Sequence, residues 1–257
     1  MQFVRYLANG APQYGVVEGT TVHAATGDPF SGGLQAGAAV GDLSGVTLLP
    51  PVNPGKIVAV GLNYVDHVKE GGRDRDVPDE PVIFQKPTSS LLGNGGTIEL
   101  PMDTENIHYE AELGVVIGRR ARRVAEADAY DYILGMTCGN DVSARILQAK
   151  DGQWTRAKGF DTFLPLGPVV TVGLRADDLS VQSRLNGEVK QRARTSQMIF
   201  NVPHLIAFIS RVMTLEPGDV IITGTPAGVG PMKPGDTIEV EVEGIGVLRN
   251  PVAAEKA

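Results

Sequence analysis

Glu216-Pro217-Gly218-Asp219 and Lys233-Pro234-Gly235-Asp236 set the same Pro-Gly turn ahead of two strand-like runs, 220–224 and 237–242. Pro-Gly suits the central positions of a type II turn, where the second residue needs a positive φ. A turn of this kind joins strands directly and leaves no room for a crossover helix. The chain therefore reads as a β-meander or roll rather than a doubly wound sheet. The 32 glycines and 17 prolines among 257 residues extend that expectation to the rest of the chain, since helix signals are few. Asn186-Gly187, flanked by Ser183–Lys190, is the strongest hairpin signal. The fold class expected is mixed α+β and β-rich.

Short strands are expected over 3–7, 14–18, 21–24 and 46–49, with a Gly/Ala-rich stretch at 31–41. Pro50-Pro51-Val52-Asn53-Pro54-Gly55 is a stiff connector. It divides a small N-terminal β-rich domain, 1–52, from a catalytic domain, 53–257. Strands follow at 56–61, 82–86 and 97–100, and an apolar strand runs from Leu134 to Asp141. Helices are expected at 63–70 with Asn63 as N-cap, at 125–132, at 143–150 and, amphipathic, at 203–213. The segment 71–81 is charged and marked by Gly and Pro, so it is expected to be exposed and mobile.

Charge and targeting signals narrow the function. A formal charge of −7 argues against a nucleic-acid or anionic-membrane binder. No apolar run is long enough to span a bilayer, and Met1-Gln-Phe-Val-Arg-Tyr lacks the pattern of a signal peptide, so a cytoplasmic location is expected. One cysteine, Cys138, rules out an intrachain disulfide or a cysteine-based zinc cluster.

The chemistry centres on Ile107-His-Tyr-Glu-Ala-Glu-Leu-Gly-Val-Val-Ile117. With a strand period of two, Glu110 and Glu112 point the same way and repel unless a cation, a proton or solvent intervenes. A half-exposed strand with a wet acidic face is one reading. The other adds Asp141, at the end of its own apolar strand, and gives an oxygen set suited to a hard divalent cation, Mg²⁺ or Mn²⁺. His67 and Glu70 share a face of the predicted helix, either as a surface i,i+3 pair or as an oriented general base, and the charged segment that follows has the layout of a lid. Lys86 and Lys158 are candidate cations for an enolate or carboxylate. The loop Thr223-Gly-Thr-Pro-Ala-Gly-Val-Gly230 could offer backbone N–H groups and the Thr225 hydroxyl to an anion. His108 and His204 read as structural.

These segments together resemble the fumarylacetoacetate hydrolase family. The resemblance is carried, in order, by Gly61-Leu-Asn-Tyr-Val-Asp-His67-Val-Lys-Glu70, Phe84-Gln-Lys-Pro-Thr and His108-Tyr-Glu-Ala-Glu-Leu113. Asn140-Asp-Val-Ser-Ala-Arg145, Lys158-Gly-Phe-Asp161 and Thr223–Gly230 complete it. The C-terminal run 228–251 is similar to the bacterial dienedioate isomerase/decarboxylase and acylpyruvate hydrolase branch. The resemblance implies a β-roll core, a homodimer, and Mg²⁺ or Mn²⁺ on Glu110, Glu112 and Asp141. It implies that His67 and Glu70 activate water, that Lys158 stabilises an oxyanion, and that Lys86, Arg145 and Thr225 lie near the substrate.

A 2-oxo or 2,4-dioxo acid could chelate such a cation, which would favour an enolate at C3. The expected activity is hydrolysis of a C–C bond in a 2,4-dioxo acid of acylpyruvate or fumarylpyruvate type. The alternative is isomerisation or decarboxylation of 2-oxo or 2-hydroxydiene dicarboxylic acids such as oxaloacetate or hydroxyheptadienedioate. A non-catalytic metal- or ligand-binding module is the alternative of another class.

Overall fold

The computed structural model describes residues 1–70 and 76–256. The first part of the segment expected to be mobile, 71–75, lies outside the described residues. A 12-stranded sheet dominates. Its central path runs from Gln2–Ala8 through Leu164–Val172, Ile133–Asn140, Ala111–Ile117 and Val220–Ile222 to Ile57–Gly61 and Val82–Lys86. Most neighbours are antiparallel; Val220–Ile222 and Ile57–Gly61 run parallel. A five-stranded sheet, built from Ser180–Leu185, Glu188–Arg194, Thr237–Val242, Gly246–Ala254 and Ile98–Leu100, contacts one side of it. A three-stranded sheet joins Ile107–Tyr109, Ser143–Ala144 and Gly230–Pro231.

The sequence signals for turns are realised. Gly218 (φ 90) and Gly235 (φ 93) take the positive φ that the Pro-Gly turns require. Asn186 and Gly187, both with φ > 0, close the hairpin between Ser180–Leu185 and Glu188–Arg194. The amphipathic helix spans Val202–Val212, capped by the Asn201 side chain on the His204 N–H. Leu205, Ile206 and Ile209 are buried in the main core with Leu113, Val115 and Ile117.

Several expectations need correction. The Gly/Ala-rich stretch forms the strand Gly33–Asp42 at the sheet edge, paired with Thr21–Asp28. Its exposed small side chains leave no alternating pattern to read. The helix expected at 125–132 is a 3-10 helix over Glu126–Tyr132. Asn63 does not cap the helix Val65–Glu70. It is fully buried, and its amide donates to Thr223 O (2.7 Å) and Phe200 O (3.0 Å) and accepts from Phe200 N. Gln2 and Phe3 pair with Thr171 and Val170, so the first strand joins the large sheet.

The run 107–117 is two strands, not one. Ile107–Tyr109 lies in the three-stranded sheet and Ala111–Ile117 in the large one. Its partner, Ile133–Asn140, breaks at the same level and resumes as Ser143–Ala144. The two strands thus change sheets side by side. Glu110 sits at one bend and Asp141 at the other, tied by Asp141 N to Glu110 O (3.0 Å). Among the described residues, no helix is long and apolar enough to cross a membrane.

Candidate active site

The double bend creates the site. Leaving one sheet for another frees Glu110 and Asp141 from the ladder, while Glu112, one strand period on, points to the same place. The three carboxylates offer oxygens within 4.8 Å of one another. Glu110 is 3%, and Glu112 and Asp141 are each 1%, exposed. The wet acidic face is therefore excluded.

Charges of both signs surround the cluster. Lys158 Nζ donates to Glu110 (2.8 Å), Asp141 (2.6 Å) and Ser143 Oγ (2.8 Å), which uses all of its protons. Lys86 Nζ donates to the other oxygen of Asp141 (2.5 Å). The Arg145 guanidinium lies 2.6 Å from Glu110, off the line of a hydrogen bond. Burial alone would raise Glu110, but Lys158, Arg145 and His67 outweigh it and hold the carboxyl well below its ordinary range. Burial lowers Lys86, whereas for Lys158 the charges of Asp141 and Glu110 overcome burial and raise it.

Glu112 is different. Burial, Asp141 and Glu110 all push its pKa up. Its hydrogen bond comes from the Gly224 N–H (2.6 Å), and among the described residues no lysine or arginine forms an ion pair with it. A divalent cation is the partner that this carboxylate lacks. Three oxygen donors with no nitrogen or sulfur ligand fit a hard ion. The described residues therefore suit a metal on Glu110, Glu112 and Asp141.

Above the cluster lies a cavity of ≈ 360 Å³. Its walls include His67, Glu70, Arg145, Lys158 and Thr225, all expected from sequence, around Glu110 and Glu112. His67 Nδ1 pairs with Glu70 Oε2 (3.1 Å), and the second oxygen of Glu70 accepts from the Gly228 N–H (3.0 Å). The Thr223–Gly230 loop thus gives N–H groups to anions, but these are the protein's own Glu112 and Glu70. The Thr225 hydroxyl is also committed: it donates to Ala111 O (2.9 Å) and accepts from Gln191 (2.7 Å). Lys86 does not line the cavity. It backs Asp141 from the far side, with its side chain 0% exposed.

Three polar or aromatic cavity residues carry no site signal in the sequence. Gln148 sits one helical turn from Arg145 and accepts from its Nη1 (2.9 Å). Trp154 meets Phe84 edge-on at 5.2 Å and lies so close to Gly61 that a Cβ there would fall 2.3 Å from its ring. His108 lines the cavity rather than serving only as structure, and burial beside Arg145 lowers its pKa to about 4, so it is neutral near pH 7. A lone tryptophan and an i,i+3 Arg/Gln pair carry no signal until the fold brings them to one pocket. His204, in contrast, pairs with Glu126 away from the site (2.8 Å).

Fold and site together define a β-rich enzyme with an acidic floor beneath an oriented histidine. Comparison with known proteins gives the class a family. Residues 56–253 match the family model for the fumarylacetoacetate (FAA) hydrolase C-terminal domain, and the chain belongs to that family. Residues 1–51 match the Rv2993c-like N-terminal model. A mitochondrial oxaloacetate tautomerase from Arabidopsis thaliana is 50% identical over 196 residues, 74% of this chain and 87% of that protein. A mitochondrial oxaloacetate decarboxylase from Dictyostelium discoideum is 46% identical over 197 residues, 74% and 89% of the two chains. The crystal structure of 2-hydroxyhepta-2,4-diene-1,7-dioate isomerase from Mycobacterium marinum is similar throughout. It covers 100% of both chains with a TM-score of 0.91 and 43% identity.

Proposed function

We propose that this protein is a metal-dependent isomerase of 2-oxo dicarboxylic acids that also releases CO₂ from those bearing a β-carboxylate. The observation that carries the reading is the buried trio Glu110, Glu112 and Asp141 beneath a cavity whose wall holds the His67–Glu70 pair. The relatives called oxaloacetate tautomerase, oxaloacetate decarboxylase and dienedioate isomerase support it over the hydrolysis expected from sequence. Mg²⁺ or Mn²⁺ held by the trio would polarise the 2-oxo group as a Lewis acid and lower the cost of carbanion character at C3.

The chain's own residues do the rest. Glu70, fixed by the Gly228 N–H, accepts from His67 Nδ1–H and so selects the tautomer with a free Nε2 lone pair. That nitrogen takes the proton from C3 and returns it elsewhere on the same substrate, so isomerisation needs no water. Arg145 and Gln148 offer donors to a carboxylate at the wall. Loss of CO₂ needs no base, because the electron pair of the breaking C–C bond moves towards the 2-oxo group, and the enolate that results takes its C3 proton from water.

This gives a separable prediction. His67→Ala is expected to lower tautomerase turnover by about 10²-fold or more, while decarboxylation and the thermal shift on adding Mg²⁺ stay close to wild type. NMR product analysis with oxaloacetate and an acylpyruvate, in metal and in chelator, reads both. Metal-dependent isomerisation and CO₂ loss with an intact acylpyruvate are expected. Cleavage of the acylpyruvate to pyruvate and a carboxylic acid would return the protein to the hydrolases, in which His67 Nε2 activates water. Turnover of neither acid would leave a binding module.

A further inference from the structure

Gln191 does not itself line the cavity, yet its side chain lies where the two halves of the site meet. It comes from the five-stranded sheet, on the strand Glu188–Arg194, and is 1% exposed. Its Oε1 accepts from the Ala111 N–H (3.0 Å) and the Ser183 hydroxyl (2.9 Å). Its Nε2 donates to Thr225 Oγ1 (2.7 Å) and to Pro226 O (2.8 Å). The partners fix the orientation of the amide: an N–H needs the oxygen and a carbonyl needs the NH₂. The Thr225 proton is already given to Ala111 O, so the chain runs one way, from Gln191 through Thr225 to Ala111.

Each end of this chain bears on the site. Ala111 lies between Glu110 and Glu112. Thr225 and Pro226 belong to the loop whose Gly224 N–H holds Glu112 and whose Gly228 N–H holds Glu70. That loop is also seated on the clamping strand itself. A Cβ at Gly228 would fall 2.2 Å from Lys190 O, so close an approach that only glycine fits. The loop therefore bonds to both the acidic floor, at Glu112, and the His67–Glu70 pair, at Glu70, and it is itself held from a different sheet.

We propose that Gln191 is a positioning residue that clamps the Thr223–Gly228 loop and so sets His67–Glu70 against the carboxylate trio. The kinetic part rests on the reading of His67 as the proton-transfer group; the structural part does not. Gln191→Glu keeps size and shape but replaces the two N–H donors to Thr225 and Pro226 by a carboxylate with none, or by an acid with one, so it tests the clamp rather than the packing.

Two measurements on full-length protein decide it. In hydrogen exchange of the metal-free protein, Gln191→Glu should speed exchange in peptides covering 223–230 by about tenfold or more, the factor for losing one or both of its two donated hydrogen bonds. Exchange over 133–140 should be unchanged. In kinetics, the variant should lose about tenfold in kcat with KM little altered, and in a Glu70→Gln background the same substitution should cost less than about twofold. Unchanged protection over 223–230, or equal losses in both backgrounds, would overturn the proposal. Should Gln191→Glu fail to fold, Thr225→Val cuts the same chain one link later and is held to the same exchange criterion. Faster exchange in a protein whose wild type turns over no keto acid would retain the clamp and reject the isomerase.

Discussion

An Asp141→Asn variant is expected to be about 3–5 kcal/mol less stable than wild type, seen as a fall of roughly 10 °C in thermal midpoint. Asp141 is the shared partner of two buried ammonium groups, Lys86 on one oxygen (2.5 Å) and Lys158 on the other (2.6 Å). An amide in its place turns an NH₂ towards one of them and leaves both undercompensated. Lys158 keeps Glu110, but among the described residues Lys86 has no second carboxylate in direct contact. Burial already lowers the pKa of Lys86, so in the variant the lysine is charged at a cost. A lysine whose folded pKa lies below its unfolded value costs stability while both states are protonated, and that cost fades as pH rises past the folded pKa. The gap between variant and wild type should therefore narrow on the alkaline side, which thermal melts across pH will read. An unchanged midpoint would mean that Asp141 does not hold these cations.

Glu112→Gln should behave in the opposite way. Burial and the charges of Asp141 and Glu110 raise this carboxyl, so in metal-free protein it is a source of strain. A carboxyl with a raised folded pKa loses stability as pH rises through that pKa. The glutamine mimics the protonated form and removes that loss. In chelator the variant should melt no lower than wild type above neutral pH, and its melt should be less sensitive to pH. In Mg²⁺ or Mn²⁺ it should lose most of the metal-induced shift, with affinity down by about 10²-fold or more, beyond the range for a residue that only supports a ligand. Turnover should fall with it. Calorimetric titration of each metal checks the affinity. A variant that binds metal as wild type does would remove Glu112 from the ligand set.

These two substitutions also mark what was legible in the sequence. Strand period suggests only that Glu110 and Glu112 share a face, and the family resemblance adds Asp141; the structure brings the three together. The turns at Gly218, Gly235 and Asn186-Gly187 were equally open to reading, because only some residues accept those backbone angles. The bend at Glu110 was not: nothing in Tyr109-Glu110-Ala111 says that a strand changes sheets there, and its partner bends at the same level, at Asp141, 31 residues further along the chain. The resemblance implies that Lys86 lies near the substrate; which oxygen of Asp141 it approaches is a property of the fold and not of Phe84-Gln-Lys-Pro. Asn63 and Gln191 show the same limit. A buried amide is identified by its partners, and those partners lie far away in sequence, as with Asn63 and Thr223 or Gln191 and Ala111.

The most direct test of the metal-centred account is a calorimetric titration with oxalate, a planar analogue of the enolate of a 2-oxo acid, with and without Mg²⁺. Oxalate should bind at least about tenfold more tightly with the metal present, and Glu112→Gln should erase the difference. Equal binding in chelator and in Mg²⁺ would mean that the anion is held by Arg145 and its neighbours alone, and that the carboxylate trio does not present a metal to the substrate.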